Sequence, residues 1–276
     1  MLSETFFVNF SQASFLFQKG LDSLDLLDRL STNSVLRLSD KCIRTTIVTD
    51  EKAKIIDVLN VWKIDKNKLL LESNIENVKK LISWINKFTI EEDSRIQEQK
   101  NFFKVSIIGN DLNKLYKFIP SLKSTKKGNF IEVNMNSKRY LIGKHELFNG
   151  LDSIDFICLD GESSRNKLKK MILNIGISEK TKEDFELFRI KNLIPKSGNE
   201  IIDSYNPLDL GLERLIDFSK GCYVGQEVIA RLDTYKKVQN IMHMIKVDDI
   251  DSNMRGTKIT SSSGGYAIAI SKKKFV

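Results

Sequence analysis

Residues 220–231 read Lys-Gly-Cys-Tyr-Val-Gly-Gln-Glu-Val-Ile-Ala-Arg. Cys222 stands between Gly221 and Gly225, two residues after Lys220 and just ahead of a predicted helix over Gln226 to Leu232. Glycine permits positive φ and close backbone approach, so both glycines suit a tight turn. A thiol before a helix N-terminus sits in a positive partial field, and a nearby ammonium adds to it. Both favour thiolate over thiol. The stretch reads as a reactive or ligand-ready cysteine held on a turn, against the plainer reading of a buried small hydrophobe. Iron–sulfur clusters usually take four thiolates, so a single cysteine cannot hold one alone.

These residues also carry a resemblance. Lys-Gly-Cys-Tyr-x-Gly-Gln-Glu at 220–227 resembles the signature of the YgfZ-type folate-binding proteins. Those are relatives of the glycine-cleavage T-protein (aminomethyltransferase), implicated in assembly or maintenance of iron–sulfur proteins. Further blocks match in the same order: Asp25 to Asn33, Arg189 to Pro195 with Leu193 in place of a glycine, and Asn206 to Leu212. The resemblance covers most of residues 5–240 and implies an α+β fold. Two ferredoxin-like halves of a folate-binding region would surround a central channel, with a small C-terminal β-barrel-like domain after them.

It also implies a ligand, tetrahydrofolate or another reduced folate. Lys220, Arg231 and Arg189 would face the carboxylates of its glutamate tail. Tyr223 would stack on its pterin or p-aminobenzoyl ring, and Glu227 would stand in the first helical turn. Gly221, Gly225 and Gln226 would form the motif's backbone. The plainer alternatives are surface charges for the cations and a core tyrosine for Tyr223. The implied partners are the folate and, transiently, iron–sulfur assembly factors or client enzymes. For Cys222 two roles stay open, a transient cluster ligand shared with a partner or a redox-active thiol.

Two other functions compete. The resemblance to T-proteins implies a catalytic aspartate ahead of a tryptophan, but Ser73 to Trp84 contains none; Lys80 and Leu81 occupy its neighbourhood. Lys191 stands where T-proteins carry a glutamate thought to hold the pterin. Both departures count against aminomethyl transfer. A basic nucleic-acid-binding protein ranks third. The net charge is +8, yet the lysines are spread along the chain, with no basic cluster interleaved with aromatics.

The elements that position these residues follow from periodicity. Strands are expected at Thr5–Phe10, 42–49, 54–63, Lys68–Glu72, 94–99, 102–108, a hairpin at 129–134 and 138–143, and Ile154–Leu159. Helices are expected from Ser11, through Leu21 to Leu30, from an Asn74 cap to Phe88, around Leu112 to Phe118, after the turn at Asp160–Ser164, and over Glu183–Leu193. The units at 68–88 and 154–175 echo each other, each a strand, a polar turn and a helix bearing Lys-Lys. The expected division is a folate-binding region, 1–234, in halves of about 1–110 and 111–234, and a β-domain, 235–276. In the latter, strands are expected at Lys236–Val247, Thr257–Ser261 and Gly265–Ser271.

The 276 residues are 41% apolar and 29% charged, enough to bury a core. Three widely separated cysteines and two histidines give no disulfide framework and no closed zinc site. A reducing, cytoplasmic location is expected, with no metal centre and no membrane segment.

Overall fold

The computed structural model describes residues 5–10, 12–147, 150–250 and 255–273. The first part of the chain forms β1 (Phe6–Phe10), β2 (Ala13–Lys19), α1 (Ser23–Leu30), β3 (Ile43–Thr49), β4 (Ile55–Asp65), β5 (Lys68–Asn74), α2 (Val78–Lys87), β6 (Arg95–Glu98) and β7 (Phe103–Ile108). Next come α3 (Asn113–Phe118), α4 (Ser121–Ser124), β8 (Asn129–Met135), β9 (Lys138–Glu146), β10 (Asp152–Cys158), α5 (Gly161–Asn174), β11 (Ser178–Glu179) and α6 (Lys182–Lys191). The last elements are α7 (Gln226–Thr234), β12 (Asn240–Lys246), β13 (Thr257–Ser263) and β14 (Tyr266–Lys272).

Among the described residues the strands form three sheets, ordered β3-β4-β5-β2-β6, β11-β1-β7-β10-β9-β8 and β12-β14-β13. Pairing is antiparallel except between β1 and β11.

Side chains alternate between the two faces of a strand. On β4 and β5, Leu59, Val61, Leu69 and Leu71 face α1 and α2, packing against Leu26, Leu27, Leu81 and Ile85. On β7 and β10, Val105, Ile107, Phe156 and Cys158 face the other way, against Leu115, Leu168 and Ile172 of α3 and α5. The alternate residues Phe15, Trp62, Leu70, Leu141 and Ile157 meet between the two large sheets. Each sheet thus has helices outside and its partner sheet inside. Gly143 on β9 marks the closest approach: a Cβ there would stand 2.2 Å from Ile43 Cδ1 and 2.7 Å from the Trp62 ring.

The expected helix after Phe10 is strand β2; Ser11 itself lies outside the described residues. Phe15 and Leu16 are both buried, one between the sheets and one beneath the helices. A strand buried on both faces loses its alternation and cannot be told from a short helix by period alone. Asn74 does not cap α2. It ends β5, and its Oδ1 accepts from the Glu76 amide at 3.0 Å in a turn, so the helix begins at Val78 and Ile75 is left 59% exposed.

The sheets do not divide the chain at residue 110. β1 and β7 lie in the same sheet as β8 to β10. Among the described residues the C-terminal strands form a three-stranded sheet, and no closed barrel is seen. Its Ile270 joins a core with Ile47, Ile55 and Ile201, so this sheet shares its interior with the rest of the chain. No helix among the described residues is long and apolar enough to cross a membrane.

Candidate functional site

Short 3-10 turns at Pro207–Leu210 and Glu213–Leu215 lead into the Cys222 loop. Asn206 caps the first of them, its side chain accepting from the amides of Leu208 and Asp209. The loop is then bound to the N-terminal part of the chain. The Asp217 amide donates to Thr32 O at 3.0 Å and the Val224 amide to Arg29 O at 3.0 Å. Thr49 Oγ1 donates to Val224 O at 2.7 Å. Lys220 is buried beneath. Its ammonium donates to the carbonyls of Asp28 (2.6 Å), Ser31 (2.8 Å) and Asn33 (3.2 Å), with the Asp28 carboxylate at 3.1 Å.

Gly225 has φ +86° and begins α7; a Cβ there would stand 2.6 Å from Asp50 O, so this position requires glycine. Gly221 does not behave as expected. It lies outside the left-handed region, and nothing stands within 4 Å of where its Cβ would be. Cys222 is exposed, and Gln226 is the first residue of α7.

The folate contacts expected at this loop are not assembled by the fold. Lys220 points inward to the carbonyl clamp. Tyr223 is buried with Ala53, Leu208, Ile216 and Ile229, and burial pushes its hydroxyl up to about 12. Glu227 and Arg231 pair with each other at 2.7 Å across one helical turn in solvent. Arg189 is 2% exposed, and its donors go to the Glu186 and Glu200 carboxylates, Ile194 O and Ser261 Oγ. It ties α6 to β13, and of these five residues it alone borders either of the two cavities between the large sheets.

Two cavities, of about 300 and 390 Å³, open along the region between the large sheets. They share His145, Glu146 and Leu147 as a common wall. The first is bordered by Phe10, Val58, Phe185, Ile194 and Ile201, with Glu186, Lys182 and Lys196 from α6 and the turn after it. The second is bordered by Cys42, Arg44, Lys127, Arg214 and Asn129. The first cavity, with apolar walls and a few polar groups, has the usual make-up of a small-molecule site, whereas the second is mostly polar.

Four ionisable side chains meet beside the first cavity, Glu72, Lys104 and His145 in its wall and Asp155 behind them. Strand alternation brings Glu72 from one sheet and Lys104, His145 and Asp155 from the other into the layer between them. The Lys104 ammonium bridges the sheets, contacting the Glu72 carboxylate and, at 2.6 Å, Asp155 Oδ2. His145 Nε2 bonds the same Asp155 oxygen, and Ser153 Oγ donates to the other at 2.6 Å. Trp62 Nε1 reaches Glu72 at 3.4 Å. Burial alone would raise the Asp155 carboxyl, but the Lys104 and His145 contacts hold it far below the usual carboxylate range. Sequence reasoning missed this group. Its one readable signal was isolated charges within apolar strand runs, as in Lys104-Val-Ser-Ile-Ile and Ser153-Ile-Asp-Phe-Ile.

Asp57 was missed in the same way. It is fully buried on β4 and accepts from Ser73 Oγ, Asn77 Nδ2 (3.0 Å) and the Val58 amide (2.8 Å). Burial pushes it up to about 6 despite these donors. The unfolded chain releases this proton near pH 4, so between about 4 and 6 the folded state holds the extra proton. Stability from this group is complete below about pH 4 and falls as pH rises through 6, by about 3 kcal/mol. Asp57→Asn keeps the acceptor for Val58 and Asn77 and carries no charge. Relative to wild type, its stability in urea should rise between pH 4 and 7 and then level off. A difference independent of pH would contradict this.

No family model matches the chain. An aminomethyltransferase from Thermosipho melanesiensis is 23% identical over 216 residues, which cover 77% of this chain and 59% of that protein. One from Bacillus pumilus is 22% identical over 258 residues, 91% of this chain and 70% of that protein. A putative chloroplastic transferase from Arabidopsis thaliana is 25% identical over 83% of this chain and 50% of its own length. The chain thus spans about 59% of the length of the first of these curated relatives. Among solved structures, the glycine cleavage system aminomethyltransferase T from Bartonella henselae superposes with a TM-score of 0.80 at 13% identity, covering 98% of this chain and 79% of that one. The chain has the mixed α+β fold of that aminomethyltransferase T structure.

Proposed function

We propose that this chain binds a reduced folate in the channel between its sheets and, through Cys222, supports assembly or maintenance of iron–sulfur proteins in the cytoplasm. One observation carries the reading. The loop over residues 217–225 is fixed by Lys220, Thr49 and the carbonyls of α1 and its following turn, yet it presents Cys222 outward. A rigidly held, exposed thiol suits transient contact with a partner. The T-protein-like fold and the paired cavities support a folate as the ligand. In this reading Glu186 offers a carboxylate to the heterocycle, and Lys182 and Lys196 offer cations to the glutamate carboxylates.

The names of the relatives favour a second reading, aminomethyl transfer. Against it, 73–84 carries no aspartate, and Lys191 packs over the Tyr266 ring at 4.4 Å, outside both cavities. An assay of aminomethyl transfer from a lipoyl carrier separates the two.

The thiol part of the proposal makes its own prediction. Cys158 is fully buried, and burial pushes its thiol up to about 12; Cys42 is half-buried. A limiting alkylating reagent near neutral pH should label Cys222 first, and Cys222→Ser should fold normally. The same variant should fail to restore iron–sulfur enzyme activity in cells lacking the protein. Full restoration, or labelling of Cys158 ahead of Cys222, would remove the thiol from the proposal.

A further inference from the structure

His145 is 6% exposed, and its Nδ1 is buried with no hydrogen-bond partner among the described residues. Its other ring nitrogen is fixed. Nε2 faces the Asp155 carboxylate, which also takes the Lys104 ammonium and the Ser153 hydroxyl. An ionised carboxylate only accepts, so Nε2 turns a proton toward it, and in the neutral imidazole Nδ1 is then the acceptor. An interior acceptor left unpaired is costly, and a native one calls for a partner. The same residue stands in the wall common to both cavities.

We propose that His145 Nδ1 is the contact for an N–H or O–H group of the ligand that occupies the channel. Asp155 fixes the tautomer, and Lys104 with Glu72 fixes Asp155. The proposal rests on the folate reading for the ligand's identity, a reduced pterin being rich in ring N–H groups. The same geometry accommodates a proton shift. The ligand N–H bond breaks, its electron pair stays on the ligand nitrogen, and the proton joins Nδ1. The resulting imidazolium still donates Nε2–H to Asp155.

Two variants separate this role from a structural one. Glutamine can keep the donor to Asp155 but supplies nothing at the Nδ1 position. Asparagine supplies an acceptor near Nδ1 but loses the reach to Asp155. His145→Gln should therefore fold like wild type and bind 5-formyltetrahydrofolate roughly 5- to 100-fold more weakly. His145→Asn should be the less stable variant and the better binder of the two. The opposite order, or unchanged binding by His145→Gln, would overturn the proposal.

Diethyl pyrocarbonate tests the nitrogen without assuming the ligand. It adds an ethoxycarbonyl group to an unprotonated imidazole nitrogen, and mass spectrometry reads the site. The chain has only two histidines, and His243, half-buried and bonded to Ser271 Oγ at 2.8 Å, is the internal control. His145 should be labelled, and 5-formyltetrahydrofolate at a hundredfold excess over its Kd should slow that labelling about a hundredfold. Labelling of His145 that the folate does not slow would leave the unpaired nitrogen standing as a contact and remove the folate. An inert His145 beside a labelled His243 would overturn the proposal whether or not folate binds.

Discussion

Lys104→Ala should lower the folding free energy by about 3–5 kcal/mol, the loss expected when one partner of a buried ion pair is removed. Lys104 is 5% exposed and Asp155 is completely buried, so bulk water does not reach Asp155 to take over its missing contact. Glu72 would keep only Trp62 Nε1, at 3.4 Å, and Asp155 would keep His145 and Ser153. Because this ammonium bridges the two sheets, the variant should also weaken the region between the cavities. Urea unfolding at pH 7 measures the loss. Pairing the change with Glu72→Gln, which removes the stranded charge, should recover part of it. A loss under about 1 kcal/mol, the range of exposed ion pairs, would mean that the cluster is hydrated rather than buried.

The second large effect is expected at Lys220. Its ammonium has three protons shared among four oxygens, three of them carbonyls at the end of α1 and in the turn that follows. Burial lowers its proton affinity, and the Asp28 carboxylate opposes that. Lys220→Met keeps the stem and deletes the donors to the Ser31 and Asn33 carbonyls, while Asp28 loses its countercharge and keeps only the Val35 and Leu36 amides on Oδ1 and the Ser31 amide on its carbonyl. The expected loss is about 3–5 kcal/mol. The Cys222 loop should also loosen, so amide exchange at Val224 and Asp217, whose N–H groups bond Arg29 O and Thr32 O, should accelerate. Unchanged exchange at both amides would contradict the clamp.

Much of the fold was legible because amphipathic periods are local. The helical faces at Leu81 and Ile85 and at Leu168 and Ile172, and the hairpin on either side of Asn136-Ser137, needed only their own residues to be read. β2 was hidden because Phe15 and Leu16 are both buried. The sharing of one sheet between β1, β7 and β10 is a long-range pairing with no local trace. At the site, the exposed cysteine and the glycine turn at Gly225 were readable, since a positive φ and a helix start leave a signature. The direction of Lys220 was not. The same lysine serves a surface, a ligand or three buried carbonyls, and only contacts 187 to 192 residues away decide among them. Glu72, Lys104, His145 and Asp155 come from four strands of two sheets, so no spacing in the sequence joins them.

The central claim is that the channel takes a reduced folate, and thermal unfolding with and without that ligand tests it most directly. Trp62 reports on the same site, because its ring packs against Gly143 and Phe130 and its Nε1 reaches Glu72. At a hundredfold excess of 5-formyltetrahydrofolate over its dissociation constant, the fold should gain about 2.7 kcal/mol, with a saturable change in tryptophan emission. No shift in unfolding temperature and no change in emission with any reduced folate, monoglutamyl or polyglutamyl, would contradict the claim.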